Sequence, residues 1–535
     1  MPLGLYVSRC GGKVDDVIDV DAAIAGVAAR AAVVRVFDDL FDPAAQERVR
    51  RDVVDAELDG VVLAGHSIER YTKSLSGRHL IEGIVAAGIN PNRVVAANIL
   101  EQVALVHADD PVGATAKAKA VIEDACRRVE LSDEAEGIVC EPRRSVLILG
   151  VTTEAVVAAQ RLLQLGFSVV LADRGEGLSH ALQPSSLKAT SAYVAGHPNA
   201  EFVDGARISD GSGWVGDFDI VLNSDAGSAH YRVGGILLAR PDVTQWIEEL
   251  RGHFKVDIDE NGHARSIDPD THPSETIDPG IMVVPVRGSG DRTREKVAAA
   301  DSAAMALVLQ LSQPTTVHYM DVSEVDETLC GGCASCVRTC AFGACSIGED
   351  GFSHVDVRRC RACGKCVVSC PVGARDIISA PHDYLIETIR GLADSEVEGE
   401  KVLGFLCAGC GYPAADGASA YVEESGESYP ASFLPLRIPC GGRLDTLYVL
   451  EAFKAGFDGV TVFRCREGHC HNLIGNLDMD RRMNLLRTVL RSRHLDDARL
   501  RIVDISPFEG ERFVEQINAV YATLGSLTNG KGGPQ

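Results

Sequence analysis

The sequence lacks the features that identify several common classes of protein. No apolar run approaches the ~20 residues that a membrane-spanning helix needs, so we expect no direct membrane span. Lysine and arginine number 52 against 76 aspartates and glutamates, and the net charge of −24 argues against nucleic acid as a partner. No P-loop, zinc-hydrolase motif or pairing of a nucleophile with a base indicates a hydrolase. Residues 1–12 contain no signal-peptide pattern, so the sequence predicts a cytoplasmic protein.

Cysteine, in contrast, is abundant, with seventeen copies in 535 residues. Eight of them form two runs with the spacing Cys-x2-Cys-x2-Cys-x3-Cys, which holds two [4Fe-4S] clusters in bacterial ferredoxins. The fourth thiolate of each run ligates the cluster of the other run. We therefore predict a first cluster held by Cys330, Cys333, Cys336 and Cys370, and a second cluster held by Cys340, Cys360, Cys363 and Cys366. A disulfide or zinc module is the alternative, which the doubled spacing disfavours.

Five further cysteines follow in the last third of the chain. Three groups of them come after apolar runs that predict strands, and the carboxyl ends of parallel strands meet at one crevice of an open α/β sheet. Four thiolates suffice for a two-iron or a four-iron cluster, so we predict a third cluster held by four of the five. The [2Fe-2S] type is preferred, and a zinc site is the alternative. The five are Cys407, Cys410, Cys440, Cys465 and Cys470.

The residues around these runs favour supporting roles. His469 and His471 flank Cys470 and could tune or replace a ligand, although solvated loop histidines are the simpler interpretation. Cys345 follows the first ferredoxin run and is expected to pack and not to ligate. The remaining cysteines are expected to be free thiols, mostly buried: Cys10, Cys126 and Cys140.

Apolar runs and helical stretches alternate along most of the chain, in which 46% of residues are hydrophobic. This rhythm predicts a multidomain α/β protein with mainly parallel sheets. We predict five parts: an N-terminal α/β domain at 1–140, a degenerate Rossmann-like domain of the FAD type at 141–315, a two-cluster ferredoxin domain at 316–380, a C-terminal α/β iron-sulfur domain at 400–523 and a disordered tail at 524–535.

A weakened dinucleotide-binding fingerprint opens the second of these domains. The first glycine is present as Gly150, but Thr152 replaces the second glycine, where a side chain hinders approach of a pyrophosphate. Glu154 adds negative charge close to the expected phosphates. Two alternatives remain open: a Rossmann-like scaffold without a cofactor, and a domain that still binds FAD through Gly150, Ala155 and Asp173.

Several motifs resemble one pair of redox proteins over nearly the whole chain. The N-terminal part carries Tyr6-Val-Ser-Arg-Cys10-Gly-Gly and the segment 97–111, and the C-terminal part carries Pro439-Cys440-Gly-Gly-Arg-Leu-Asp and the segment 465–476. Together with the ferredoxin runs, this order of parts resembles the A-type subunit of heterodisulfide reductase fused to the delta-type iron-sulfur subunit of the methyl-viologen-reducing hydrogenase.

The resemblance implies a cytoplasmic electron-transfer hub in a larger complex. Its expected partners are the other subunits of a heterodisulfide reductase-like, hydrogenase or formate dehydrogenase complex, with ferredoxin as a further candidate. The leading hypothesis is an iron-sulfur relay subunit without a substrate site of its own. An FAD-dependent electron-bifurcating subunit is the second hypothesis, which Thr152 and the lack of cysteine between Cys140 and Cys330 weaken. A structural adaptor with redox-silent metal sites is the third.

Overall fold

The computed structural model describes residues 1–175, 187–239, 244–256, 258, 272–285, 293–493 and 495–529. Within these residues the chain forms two compact units. The first unit comprises Met1–Ala135, Asp321–Val355 and Cys360–Gln535, and the second comprises Glu136–Met320 and Asp356–Arg359. None of the helices in the described ranges combines the length and apolarity required to cross a bilayer.

The first unit begins with a four-stranded parallel sheet. Its strands are β1 (Leu3–Ser8), β2 (Val33–Phe37), β3 (Gly60–Gly65) and β4 (Val94–Asn98), in the spatial order β2-β1-β3-β4. Every residue of β1 and β3 is buried, because helices cover both faces of such a sheet. The helices are α1 (Val20–Ala28), α2 (Pro43–Asp55), α3 (Ile68–Lys73), α4 (Leu75–Ala86) and α5 (Pro111–Leu131), with short helical turns at Pro91–Arg93 and Leu100–Ala104.

The ferredoxin part of the first unit repeats a small motif twice. Its elements are β15 (Ser323–Val325), α10 (Ser335–Thr339), β16 (Cys345–Ile347), β17 (Ser353–Val355), α11 (Lys365–Val368) and β18 (Arg375–Ile377). Strand β15 pairs antiparallel with β18, and β16 pairs antiparallel with β17. Each short helix starts from a residue in the left-handed region, Ala334 at φ 58° and Gly364 at φ 73°. The two halves thus present their cysteine loops in equivalent ways.

A second parallel sheet ends the first unit. Its strands are β19 (Val402–Cys407), β20 (Phe433–Ile438), β21 (Gly459–Cys465) and β22 (Leu500–Ile505), in the order β20-β19-β21-β22. The helices are α12 (His382–Ala393), α13 (Gly411–Ser425), α14 (Thr446–Ala455), α15 (Gly475–Ser492) and α16 (Gly510–Asn529), with 3-10 turns at Gly441–Arg443 and Asp497–Arg499. Three cysteine groups therefore stand at the carboxyl end of this sheet.

Helix α16 extends further than the sequence predicts. It continues to Asn529, and Leu524 is buried against the C-terminal sheet with 2% of its surface exposed. Residues 524–529 consequently belong to the helix and not to a tail, because burial of Leu524 holds this last turn on the core. The rest of the predicted tail, 530–535, lies outside the described residues.

The second unit contains a five-stranded parallel sheet, β13-β12-β6-β7-β8. These strands are β6 (Ser145–Leu149), β7 (Ser168–Ala172), β8 (Ala200–Val203), β12 (Gly235–Leu238) and β13 (Ile281–Val283). An antiparallel sheet is formed by β9 (Arg207–Trp214), β10 (Asp217–Ser224) and β11 (Gly227–Val233). The helices are α6 (Thr153–Gln164), α7 (Lys188–Ala195), α8 (Thr244–Arg251) and α9 (Thr293–Leu311). The predicted α/β class with parallel sheets is confirmed.

Two of the predicted domain boundaries differ from the limits of the compact units. Strand β5 (Gly137–Cys140) pairs antiparallel with β14 (Thr316–Tyr319), and both strands belong to the second unit. The N-terminal part of the first unit therefore ends at Ala135, and its ferredoxin part begins at Asp321. The difference arises because the two segments that link the units pair with each other.

Candidate iron-sulfur sites

The four cysteines predicted to hold the first cluster line one small pocket: Cys330, Cys333, Cys336 and Cys370. Gly332 lets the loop turn tightly, since its φ is 65° and a side chain there would clash with the carbonyl of Gly351. Four soft thiolates around a small cavity are a donor set that suits an iron-sulfur cluster. The residues present therefore fit the predicted group.

The thiols predicted for the second cluster also interact with one another. Burial and the neighbouring cysteine thiols raise the pKa of Cys363 to about 12, and Cys366, Cys360 and Cys340 are those neighbours. Cys345 hydrogen-bonds both Cys340 and Cys366, which lowers the pKa of these two thiols to about 5 and about 6. Cys345 thus packs in the core, as predicted, and it touches two of the predicted ligands.

A buried arginine lies between the two sets of cysteines. Arg375 is 4% exposed, and its guanidinium donates to Ser323 Oγ at 3.0 Å and to Ser353 Oγ at 2.5 Å. Ser323 Oγ lies 3.3 Å from Cys366 Sγ, and Ser353 Oγ lies 3.1 Å from Cys336 Sγ. Burial alone would lower the pKa of Arg375, but the thiols of Cys345, Cys366 and Cys336 raise it. The positive charge therefore faces both predicted clusters.

The C-terminal cysteines converge at the carboxyl end of the second sheet. The sulfur atoms of Cys407, Cys410 and Cys465 all lie within 4.8 Å of one another, and all three residues are buried. Cys407 ends β19 and Cys465 ends β21, so the parallel strands bring them together across the sheet, with their sulfur atoms 3.8 Å apart. Cys470 contacts both Cys465 and Cys440. All five predicted cysteines thus form one group.

One histidine of the C-terminal loop belongs to this group. His471 is half-buried, and its Nδ1 lies 3.7 Å from Cys465 Sγ and 3.9 Å from Cys410 Sγ. The interpretation of His471 as a solvated loop residue is therefore wrong, whereas His469 is exposed as expected. The position of His471 directly after Cys470 was the available signal.

The second ferredoxin run packs directly on the C-terminal cysteine turn. Gly364 packs on the side chain of Arg443, and an added Cβ there would clash with it. An added Cβ on Gly442 would lie 2.7 Å from Cγ of Lys365, whose ammonium group pairs with Asp478 at 2.7 Å. Across this contact the thiol of Cys363 raises the pKa of Cys440, after the larger effects of Cys470 and burial. The predicted second and third sites are therefore neighbours.

The dinucleotide fingerprint of the second unit fits a bound pyrophosphate poorly. Thr152 caps α6: its Oγ1 accepts from the Ala155 amide at 3.3 Å and donates to the Ala239 carbonyl at 3.2 Å. The side chain thus uses one of the amides that a phosphate would need. Glu154, in the first turn of α6, forms an ion pair with Lys296 of α9 at 3.6 Å. Gly150 has φ 91°, and Asp173 is buried at the end of β7, as the fingerprint requires.

Comparisons with known proteins match two regions of the chain to family models. Residues 402–528 match the family described as methyl-viologen-reducing hydrogenase, delta subunit, and residues 354–376 match the 4Fe-4S binding domain. The second match supports at least one [4Fe-4S] cluster in the ferredoxin part. The D-type iron-sulfur subunit of the F420-non-reducing hydrogenase vhc of Methanococcus voltae is 36% identical over 127 residues, which cover 24% of this chain and 85% of that protein.

Two further relatives are heterodisulfide reductase subunits, both of the A type. One belongs to the ferredoxin/F(420)H(2)-dependent CoB-CoM heterodisulfide reductase of Methanosarcina acetivorans and is 38% identical over 237 residues. The other belongs to the ferredoxin:CoB-CoM heterodisulfide reductase of Methanosarcina mazei and is 39% identical over 236 residues. Each match covers 43% of this chain and 28% of the relative. The chain thus spans just over a quarter of the length of these relatives.

Proposed function

We propose a function from one premise: the chain belongs, through residues 402–528, to the family of the methyl-viologen-reducing hydrogenase delta subunit, and it joins this part to one similar to the A-type subunit of heterodisulfide reductase. The chain is an iron-sulfur electron-transfer subunit of a heterodisulfide reductase-like complex. It relays electrons between a donor module and a reductase module and has no substrate site of its own. Iron-sulfur clusters supply one-electron transfer when they are bound.

Three sets of cysteines hold the metal in this proposal. The ferredoxin part provides the ligands of two [4Fe-4S] clusters, with the fourth thiolate exchanged between the runs. The C-terminal part provides a [2Fe-2S] site. Cys407, Cys410 and Cys465 are three of its ligands, and Cys470 is the fourth, because Cys470 contacts Cys465 of this trio. Cys440 contacts Cys470 and lies between this site and the second ferredoxin run.

The observation that carries the proposal is the close packing of the second ferredoxin run on the C-terminal turn. Gly364 and Gly442 have no side chain, so these two segments can pack closely; a Cβ at either position would clash with the other segment. The Lys365–Asp478 ion pair holds the contact together, with Lys365 2% exposed. Cys363 is close enough to Cys440 to raise its pKa. A metal site that only stabilised the fold would not have to lie close to a second metal site.

The relatives support membership of a redox complex with several subunits, and the partners named next are part of the proposal. Proteins similar to the two parts are named as subunits of heterodisulfide reductases and hydrogenases, so this chain binds the other subunits of such a complex, with a hydrogenase, a formate dehydrogenase or ferredoxin as the electron donor. We place the complex in the cytoplasm. The poor fit of the Thr152 turn to a pyrophosphate leaves the electron-bifurcating FAD protein as the alternative function, and no step of the relay depends on flavin.

Metal and flavin analysis tests the relay against its alternatives. The full chain is purified without oxygen, and iron, sulfide, zinc and extractable flavin are measured on one sample. About ten iron atoms per chain without flavin are expected, since two [4Fe-4S] clusters and one [2Fe-2S] cluster sum to that number. One FAD per chain would favour the electron-bifurcating function over the relay. Zinc in place of iron would favour the structural adaptor and contradict the relay.

Magnetic coupling tests whether the sites exchange electrons. In the fully reduced wild-type protein, the electron paramagnetic resonance signals of the ferredoxin clusters should be broadened by the nearby C-terminal site. Cys407→Ser combined with Cys465→Ser should remove iron from the C-terminal site alone and narrow those signals. The matched control is Cys126→Ser, a buried cysteine far from the predicted ligands in sequence. Unchanged line shapes in the double variant would mean that the sites are isolated.

A further inference from the structure

The carboxyl end of the N-terminal sheet brings together a cysteine, a histidine and a glutamate that the proposed relay does not use. The strand order β2-β1-β3-β4 changes direction between β1 and β3. In open α/β sheets the crevice at such a switch point is where ligands bind. Cys10 follows β1 and His66 follows β3, so these two residues stand on the two sides of the switch point. Glu101 stands beside them, in the helical turn after β4.

The three side chains form one group. Cys10 is close enough to raise the pKa of His66, whose Nδ1 lies 3.0 Å from Glu101 Oε1, and the Cys10 thiol donates to the Ser8 carbonyl at 3.6 Å. The second carboxylate oxygen of Glu101 accepts the backbone N–H of Ser67 at 3.0 Å, which fixes the carboxylate. Burial alone would lower the pKa of His66, but the thiol and the carboxylate raise it to about 9. A thiol, an imidazole and an orienting carboxylate in this order make an activated nucleophile.

The backbone at Cys10 is held in a costly conformation. Cys10 has φ 51°, and Gly11 and Gly12 continue in the left-handed region at 69° and 93°. The left-handed conformation costs free energy for a residue with a side chain, and it persists only where the surrounding structure imposes it. The Cys10 amide donates to Ser8 Oγ at 3.3 Å, and Ser8 Oγ also accepts from the Leu40 amide. These contacts fix the backbone at Cys10, which is half-buried.

Aromatic side chains surround the group closely. Phe41 stacks on His66, with ring centroids 5.0 Å apart and nearly parallel planes. A Cβ added to Gly65 would lie 3.0 Å from the hydroxyl of Tyr71 and 3.5 Å from Cys10 Sγ, so the hydroxyl and the sulfur both pack against Gly65. The thiol is thus held beside buried aromatic residues.

We propose that Cys10 is a reactive thiol, paired with His66 and oriented through Glu101, that undergoes thiol–disulfide exchange with a small disulfide, while His66 takes up the proton of the thiol. The Cys10 sulfur attacks one sulfur of the disulfide, so that one S–S bond forms while the other breaks. The departing thiolate takes the proton of the His66 imidazolium. A second small thiol then restores Cys10 by the reverse exchange, and no external oxidant or reductant is consumed. This activity goes beyond the proposed relay and requires none of its metal sites.

The other cysteines of the chain provide the contrast. Cys126 is fully buried, and burial raises its pKa to about 12, so it is inert at neutral pH. Cys140 is half-buried like Cys10 but lies beside Thr316, with 3.5 Å between its sulfur and Thr316 Oγ1. Exposure alone therefore does not distinguish Cys10 from Cys140. The imidazole and the carboxylate beside Cys10 distinguish the two cysteines.

Site-resolved alkylation of the reconstituted full chain tests the proposal. The protein is treated with iodoacetamide at pH 7, and the rates at Cys10 and Cys140 are read from their peptides by mass spectrometry in the same sample. A thiol of ordinary pKa is a few per cent ionised at this pH, so a neighbouring base that takes up its proton raises its rate of alkylation. We expect Cys10 to react about 10-fold faster than Cys140. Equal rates would overturn the proposal without any variant.

Two variants and one control assign the role of each partner. His66→Gln should bring the Cys10 rate close to that of Cys140, and Glu101→Gln should give a smaller loss. Glu69→Gln removes a nearby carboxylate that pairs with Lys73 at 2.8 Å and should leave the rate unchanged. Incubation with 2-hydroxyethyl disulfide should attach a 2-hydroxyethylthio group to Cys10 that dithiothreitol releases. A wild-type rate in His66→Gln, or no adduct on Cys10, would refute the exchange activity.

Discussion

At the scale of single residues, Arg375 is the charge that the two predicted ferredoxin clusters share. A buried guanidinium is stable only with nearby negative charge and satisfied donors. Arg375 has both, since two serine hydroxyls accept from it and each serine contacts a cysteine of a different run. One side chain therefore acts on the electron affinity of two sites at once.

Replacing this arginine should lower the reduction potentials of both ferredoxin clusters. Arg375→Met keeps the volume but removes a positive charge that favours the more negative, reduced state. We expect both midpoint potentials to fall by on the order of tens of millivolts in a redox titration followed by electron paramagnetic resonance. Arg338→Met removes an exposed arginine of the same part and should change them less, because solvent screens its charge. A shift confined to one cluster would contradict the shared role.

Single-cysteine variants should separate the ligands of the C-terminal site. Cys470→Ser should lower the iron content by about two atoms per chain, because Cys470 is the proposed fourth ligand of a [2Fe-2S] site. Cys440→Ser should retain the iron and alter only the spectrum, since Cys440 contacts Cys470 and not the trio. Iron and sulfide analysis of the two variants measures this difference. Loss of iron from Cys440→Ser with retention in Cys470→Ser would reverse the assignment.

The ferredoxin cysteines could be predicted from the sequence because their spacing is local. The residues that contact these cysteines in the fold could not. The ferredoxin loops place three thiols within seven residues, so the pattern itself describes the site. Arg375 becomes relevant only when β18 pairs with β15 and brings Ser323 beside it. Cys10, His66 and Glu101 are separated by three strands, which is why no nucleophile–base pair is visible in the sequence.

At the scale of elements, the contact between α11 and the 3-10 turn at Gly441–Arg443 depends on glycine. The sequence predicts both segments but not their contact, since neither segment contains a pattern that identifies its packing partner. The strands, in contrast, are recognisable in the sequence because buried parallel strands are continuous apolar runs, as in β19 and β21. The extent of α16 beyond Leu524 could not be predicted, because the segment is rich in glycine and polar residues and only the packing of Leu524 and Leu527 on the C-terminal core holds it.

A methyl group at this contact should destabilise the first unit. Gly442→Ala places a Cβ 2.7 Å from Lys365, and we expect a loss of roughly 1–3 kcal/mol in the free energy of unfolding from overpacking. Gly417→Ala is the matched control: Gly417 lies inside α13 with no atom within 4 Å of an added Cβ, so alanine should gain up to about 1 kcal/mol. Chemical denaturation of the holoprotein measures both changes. Equal effects of the two substitutions would mean that the contact is loose.

At the scale of the whole molecule, the predicted metal ligands are confined to one of the two units. All thirteen of these cysteines lie in Asp321–Val355 or Cys360–Gln535, which are parts of the first unit. The second unit has apolar cores of its own on the two faces of its parallel sheet, around residues such as Phe167 and Trp246. Its folding should therefore not require iron.

Removing the iron should consequently destabilise one unit and spare the other. Binding that exists only in the folded state adds its free energy to folding, so the first unit loses that contribution in the apoprotein. We expect its melting temperature to fall by roughly 10 °C after oxidation and chelation. Hydrogen exchange read by mass spectrometry localises the effect: peptides from 402–425 should lose protection, whereas peptides from 145–172 should keep it. An equal loss in both sets of peptides would show that the second unit depends on the metal sites of the first.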